Sequence, residues 1–200
     1  MIEKYIEPLS SKLILQPVSI VAVRFISNNP NFYTLLAGVL GVLGVFFVYF
    51  GYIWQAIILF VGSGLCDMLD GHIARSISKS SNIGSVIDII TDRFVEFAII
   101  FSIYLINPLQ NSVYCILMLG SILLCITSFL VVGIFTENST NKSFYYSPGL
   151  IERAEAFVFF ILMLCLNDYV PLISVIFIFL VMLTVIIRVY EFIKNSINSD

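Results

Sequence analysis

The sequence predicts an all-α integral membrane protein, with about six transmembrane helices preceded by an amphipathic helix lying in the membrane interface. Three observations carry this reading. Hydrophobic residues make up 60% of the 200 residues and charged residues only 12%, and mean hydropathy is +1.03. A chain this apolar has too little polar surface to cover a water-soluble globule, so lipid must form part of its solvent. Apolar runs approaching the ~20 residues that cross a bilayer recur along the chain. Lys and Arg collect on one side of those runs. The net charge of −3 leaves no basic footprint for nucleic acid.

The elements follow in order. Residues 1–28 form the interfacial segment: Ile6, Leu9, Leu13, Pro17 and Ile20 alternate with charges and hydroxyls at near-helical spacing. Glu3, Lys4, Glu7, Lys12 and Arg24 break up any long apolar stretch there, so a removable signal peptide is not expected. Residues 29–200 form a six-span domain with apolar runs at 32–50, 53–74, 84–106, 112–135, 150–166 and 170–190. Pro30 and Pro148-Gly149 punctuate helix starts, while Gly51, Asn107-Pro108, Asn167-Asp168 and Pro171 mark breaks. The turns 51–52, 107–111 and 167–171 hold no Lys or Arg. Lys4, Lys12, Arg24, Arg75, Lys79, Lys142, Arg153, Arg188 and Lys194 all fall on the other side. By the positive-inside rule both termini are cytoplasmic in a multi-pass protein of the cell membrane. Cys66, Cys115, Cys125 and Cys165 sit inside apolar runs and form no metal-binding pair, and His72 is the lone histidine.

The carboxylates carry the chemistry. Of six Asp, four lie between 67 and 92. Asp67 and Asp70 share a helix face at i, i+3, and Asp88 and Asp92 share one at i, i+4. A short polar loop joins the two helices, which predicts antiparallel neighbours and one chamber for all four. Ionised groups within a span cost about 2.5–3.5 kcal/mol each on insertion scales and mark function. Four carboxylates in a low-dielectric chamber need a counter-charge. Oxygen-only ligation suits Mg²⁺, Mn²⁺ or Ca²⁺, and such a metal pair handles phosphates. Arg75 stands where it could share a phosphate with the metals, and Gly71, Ala74 and Gly84 leave room for a ligand. The competing reading at this point is a cation- or proton-coupled transporter that loads an ion on the same Asp cluster.

Residues 67–92 read Asp67-x2-Asp70-Gly71-x2-Ala74-Arg75-x8-Gly84-x3-Asp88-x3-Asp92. This resembles the signature of the CDP-alcohol phosphotransferase (CDP-alcohol phosphatidyltransferase) family at all eight fixed positions. The chain is most similar to the bacterial phosphatidylinositol phosphate synthase branch, through Pro30-Asn31-Phe32-Tyr33-Thr34 before the first span and Gly149-Leu-Ile-Glu152-Arg153 before the fifth. The resemblance implies phospholipid biosynthesis. A phosphatidyl group passes from CDP-diacylglycerol to a hydroxyl of a small polar alcohol, and CMP is released. It implies two divalent ions, Mg²⁺ or Mn²⁺, on Asp67, Asp70, Asp88 and Asp92, with Asp92 also the general base. It implies a CDP-lipid site at Asn31, Phe32, Tyr33, Thr34, Gly71, Ala74, Arg75, Ser81 and Gly84, and a homodimer. Asn31–Thr34 and Ser81 could equally serve as helix caps, and Gly84 could serve only close packing.

The chain also departs from that branch. Its fourth span ends Ser128-Phe-Leu-Val-Val-Gly-Ile-Phe135 without a base, and Ala156 stands where a second Arg is expected. Arg153 and Arg188 remain as acceptor-site cations, or as side chains snorkelling to the interface. The acceptor stays open between inositol phosphate, glycerol phosphate, serine and other alcohols.

Overall fold

In the computed structural model, the structure describes residues 27, 29–76, 82–135, 149–151 and 153–199. The interfacial segment expected at 1–28 therefore lies outside the described residues, apart from residue 27, and so does Ser81. The described elements are α1 (Pro30–Tyr49), α2 (Ile53–Ser76), α3 (Asn82–Ile106), α4 (Pro108–Phe135), α5 (Arg153–Cys165), a single 3₁₀ turn (Asn167–Tyr169) and α6 (Val170–Ser199).

Local chemistry sets the boundaries. Asn29 caps α1: its side chain accepts from the Asn31 backbone N–H at 3.2 Å, and Pro30 supplies the first helical residue with φ already fixed. At the other end Gly51 takes φ 84°, a left-handed conformation that glycine adopts without a Cβ penalty. Its N–H donates to the Val48 carbonyl at 2.9 Å and that of Tyr52 to Phe47 at 2.8 Å, closing a Schellman motif. Helix α2 begins two residues later. Asn107 caps α4, pairing with Gln110 through its amide at 2.9 Å, and Pro108 opens the helix.

Two compact units divide the chain, α1–α3 and α4–α6. In the first, α1 packs along both α2 and α3, whereas α2 and α3 touch each other only marginally. The expectation that α2 and α3 are side-by-side neighbours is thereby corrected, and small residues on α1 are the physical reason. A Cβ on Gly44 would stand 2.5 Å from the Phe60 ring of α2, and one on Gly41 would stand 3.2 Å from Val95 of α3. Such close backbone approach lets a helix wedge between its partners. The Ser63 hydroxyl adds a buried bond to the Ala37 carbonyl at 2.8 Å. In the second unit, α6 packs against α4 and, over a shorter stretch, α5. There Phe177 meets Phe159 and Phe160 at ring-centroid distances of 5.7 and 5.3 Å.

Each expected span falls on a helix, but they are not equivalent. Among the described residues four segments are long and apolar enough to cross a membrane: Pro30–Tyr49, Ile53–Ala74, Pro108–Phe135 and Asn167–Ser196. Helix α3 has the length, at 25 residues, but carries Asp88, Asp92, Arg93 and Glu96. Helix α5 has 13 residues, about 20 Å of rise against a hydrocarbon core of about 30 Å. Large apolar side chains stand outward on every helix, Trp54 and Ile58 both 70% exposed among them, which fits a lipid solvent.

Candidate metal and substrate site

Asp67 and Asp70 lie in the last three turns of α2, and Asp88 lies near the start of α3. Carboxylate oxygens of the three come within 4.8 Å of one another; Asp70 is buried and the other two are half-buried. The marginal meeting of α2 and α3 thus includes the aspartates. Asp92 stands outside that group of three, one helical turn further along α3, and is also buried. Three carboxylates this close repel one another unless a cation intervenes. Their donor set is all oxygen, which fits a hard divalent ion such as Mg²⁺ or Mn²⁺.

The first turn of α1 closes on this group. The Thr34 hydroxyl, 4% exposed, donates to Asp70 Oδ2 at 2.5 Å. Tyr33 is buried beside it and its phenol donates to the Ser27 carbonyl at 2.9 Å. Phe32 is exposed and meets the Tyr33 ring edge-on at 5.5 Å, and Asn31 is half-buried. Of the four sequence-predicted residues here, two turn into the protein and two remain on the accessible side. Gly71, Ala74 and Gly84 are half-buried on the aspartate-bearing turns. Arg75 lies in the last turn of α2, its side chain outside the described set.

In the second unit Arg188 is 7% exposed. Its guanidinium donates to the Cys125 carbonyl and to the Ser128 hydroxyl, both at 2.9 Å, and lies 5.4 Å from the Phe129 ring centre. Its Nε is buried without a hydrogen-bond partner among the described residues. Arg153 opens α5, half-buried, behind a segment pinned by Thr184. That hydroxyl accepts from the Leu150 and Ile151 backbone N–H groups at 3.2 and 3.3 Å.

Sequence reasoning missed three of these features. Neither the Thr34–Asp70 bond nor the seat of Arg188 leaves a spacing signal, because the partners are 36 and about 60 residues apart. The Arg93–Glu96 ion pair, 2.6 Å at i, i+3, could have been found. Glu96 extends the Asp88–Asp92 register by one more turn, and Arg93 neutralises it within the helix.

Known proteins resemble this chain over most of its length. Over 146 residues, 72% of the chain, it is 32% identical to a bifunctional IPC transferase and DIPP synthase of Archaeoglobus fulgidus. Over 165 residues, 79% of the chain, it is 28% identical to a phosphatidylinositol phosphate synthase of Streptomyces avermitilis. The matched regions span 29% and 64% of those relatives' own lengths. The fold is shared with Mycobacterium tuberculosis phosphatidylinositol phosphate synthase, crystallised with CDP-DAG and, separately, with manganese and citrate. Both superpositions give a TM-score of 0.71 at 19% and 18% identity, covering 90% of this chain and 93% and 88% of the others. The transporter reading finds no support in any of these relatives. A family model described as CDP-alcohol phosphatidyltransferase matches residues 27–189. With four helices among the described residues long and apolar enough to cross a membrane, and the aspartate group drawn from α2 and α3, the chain is a multi-pass membrane protein that belongs to the CDP-alcohol phosphatidyltransferase family.

Proposed function

We propose that this protein transfers the phosphatidyl group of CDP-diacylglycerol to a hydroxyl of a small polar alcohol and releases CMP. The observation that carries the reading is the meeting of Asp67, Asp70 and Asp88 within 4.8 Å in a chain of this family. Together with Asp92 they would hold two divalent ions, Mg²⁺ or Mn²⁺. When bound, these ions supply positive charge against the pyrophosphate and the departing CMP. Gly71, Ala74 and Gly84 give the nucleotide room, Asn31 and Phe32 flank it from α1, Arg75 pairs with phosphate, and Ser81 is a further nucleotide contact. Asp92 accepts the acceptor hydroxyl's proton as the oxygen attacks the phosphatidyl phosphorus. The new P–O bond forms while the bond from phosphorus to the CMP oxygen breaks.

Arg188 favours an anionic acceptor. It is a buried guanidinium held only by neutral groups among the described residues, and a buried charge is costly unless an opposite charge meets it. Arg153 is the second cation we assign to that acceptor, with inositol phosphate and glycerol phosphate ahead of serine on this ground. We also propose six spans, with α3 and α5 completing the four apolar ones, both termini cytoplasmic in the cell membrane, residues 1–28 as an interfacial helix, and a homodimer. The test is purified protein with CDP-diacylglycerol, Mg²⁺ or Mn²⁺, and a panel of phosphorylated and neutral alcohols. CMP release dependent on one acceptor is the expected result, and no release with any of them rejects the proposal.

A further inference from the structure

A buried polar bridge between α1 and the aspartate group reassigns a residue that sequence reasoning placed against the nucleotide. We infer that Thr34 is a positioning residue for the metal ligand Asp70; the inference rests on the metal reading proposed above. Thr34 and Asp70 are 4% and 5% exposed, and their oxygens are 2.5 Å apart. That separation is characteristic of a hydroxyl donating to an ionised carboxylate. The alternative acceptor, the Pro30 carbonyl one turn back, is 3.4 Å away, so the single hydroxyl proton goes to the aspartate. A carboxylate has two oxygens and about four lone-pair sites. Thr34 takes one site on Oδ2 and fixes the plane of the group.

The donor is itself held in place. Asn29 caps the turn, Pro30 fixes its first residue, and Tyr33 ties it to the Ser27 carbonyl. One turn further, Gly38 brings α1 to Thr91 of α3, where a Cβ would stand 3.3 Å from the threonine methyl. The same short stretch of α1 therefore touches the ligand on α2 and the residue preceding Asp92 on α3. Partners behind a metal ligand typically contribute 10–100-fold to metal affinity by holding it oriented.

The test is Mn²⁺ binding by the detergent-solubilised full chain without CDP-lipid, read as loss of the free-ion paramagnetic resonance signal. Thr34→Val keeps the shape and removes the hydroxyl. It should weaken Mn²⁺ binding by about 10–100-fold, and Thr34→Ser should restore affinity. Excess Mn²⁺ should recover turnover of Thr34→Val, because a weakened site still fills at high ion concentration. The melting temperature without metal controls for folding, and Thr34→Ala serves as a second hydroxyl-free variant should the valine variant unfold. Wild-type Mn²⁺ affinity in the hydroxyl-free variants, with CDP-lipid binding lost instead, overturns the inference and leaves the metal reading standing. Failure of the wild-type protein itself to bind Mn²⁺, or unchanged affinity in Asp70→Asn, overturns both.

Discussion

At the scale of single residues the four aspartates divide by position. Asp67, Asp70 and Asp88 converge, while Asp92 lies one turn along α3 and is buried. Replacing any of the three by Asn should abolish metal-dependent CDP-lipid binding, because each removes a charge and a ligand together. Asp92→Asn should retain binding but turn over about 10²–10⁴-fold slower, the range of a general base. Isothermal titration with CDP-lipid in Mg²⁺, set beside single-turnover rates, separates the two behaviours; equal loss of affinity in Asp92→Asn and Asp67→Asn would make Asp92 a ligand only. Arg188 calls for a different readout. A hydrogen bond to a charged group is worth about 1.5–3 kcal/mol, or roughly 10- to 150-fold in affinity. Arg188→Met should therefore raise the acceptor KM by about that factor and leave the CDP-lipid KM within about twofold. Parallel rises in both constants would assign Arg188 to the structure of the α4–α6 unit.

At the scale of elements, α1 decides how the aspartate-bearing helices are held. Its interface is lined by Ala37, Gly41, Gly44 and Val48, all buried, and its partners Phe60 and Val95 are buried as well. Phe60 is 0% exposed, so its ring has nowhere to retreat from a new methyl group. Gly44→Ala should cost about 1–3 kcal/mol by overpacking, measured as thermal unfolding in detergent. Gly120→Ala is the matched control: a Cβ there meets nothing within 4 Å, and helix propensity alone favours it by about 1 kcal/mol. A Gly44→Ala protein as stable as wild type would mean that α1 does not wedge α2 as described. The short α5 makes a related point. An apolar run in sequence spans residues 150–166, but the helix occupies 13 residues, and the Thr184 hydroxyl accepts from the backbone of 150 and 151 ahead of it.

At the scale of the whole molecule, the metals and the bilayer set the testable behaviour. Chelation by EDTA should remove activity and added Mg²⁺ or Mn²⁺ should restore it; full turnover in chelator would sink the metal mechanism. Orientation can be read with membrane-impermeant maleimide on a cysteine-free background. Tyr52→Cys, in the turn after α1, should label in intact cells, and Asn195→Cys, near the end of α6, should label only after permeabilisation. The reverse pattern would invert the proposed topology. Tyr49, Phe50, Tyr52 and Trp54 around that turn are all at least 56% exposed, the composition of an aromatic belt at a membrane–water interface.

The sequence by itself determined the solvent, the helical class and the chemistry. Hydropathy fixes lipid contact because no soluble fold could hide so much apolar surface. The 67–92 spacing fixes which aspartates share a helix face, because helical periodicity is a local property. Helix ends at Pro30, Gly51 and Asn107-Pro108 were equally legible, since turns and helix starts depend on a few adjacent residues. What only the tertiary structure decided are relations between residues far apart in the chain. The wedge of α1 between α2 and α3 joins positions 16 to 54 residues apart, and the Thr34–Asp70 bond and the seat of Arg188 on Cys125 and Ser128 join positions 36 to 63 residues apart. Such pairings depend on which small side chains let backbones approach and which buried polar groups find partners, and neither condition repeats with any period along the chain.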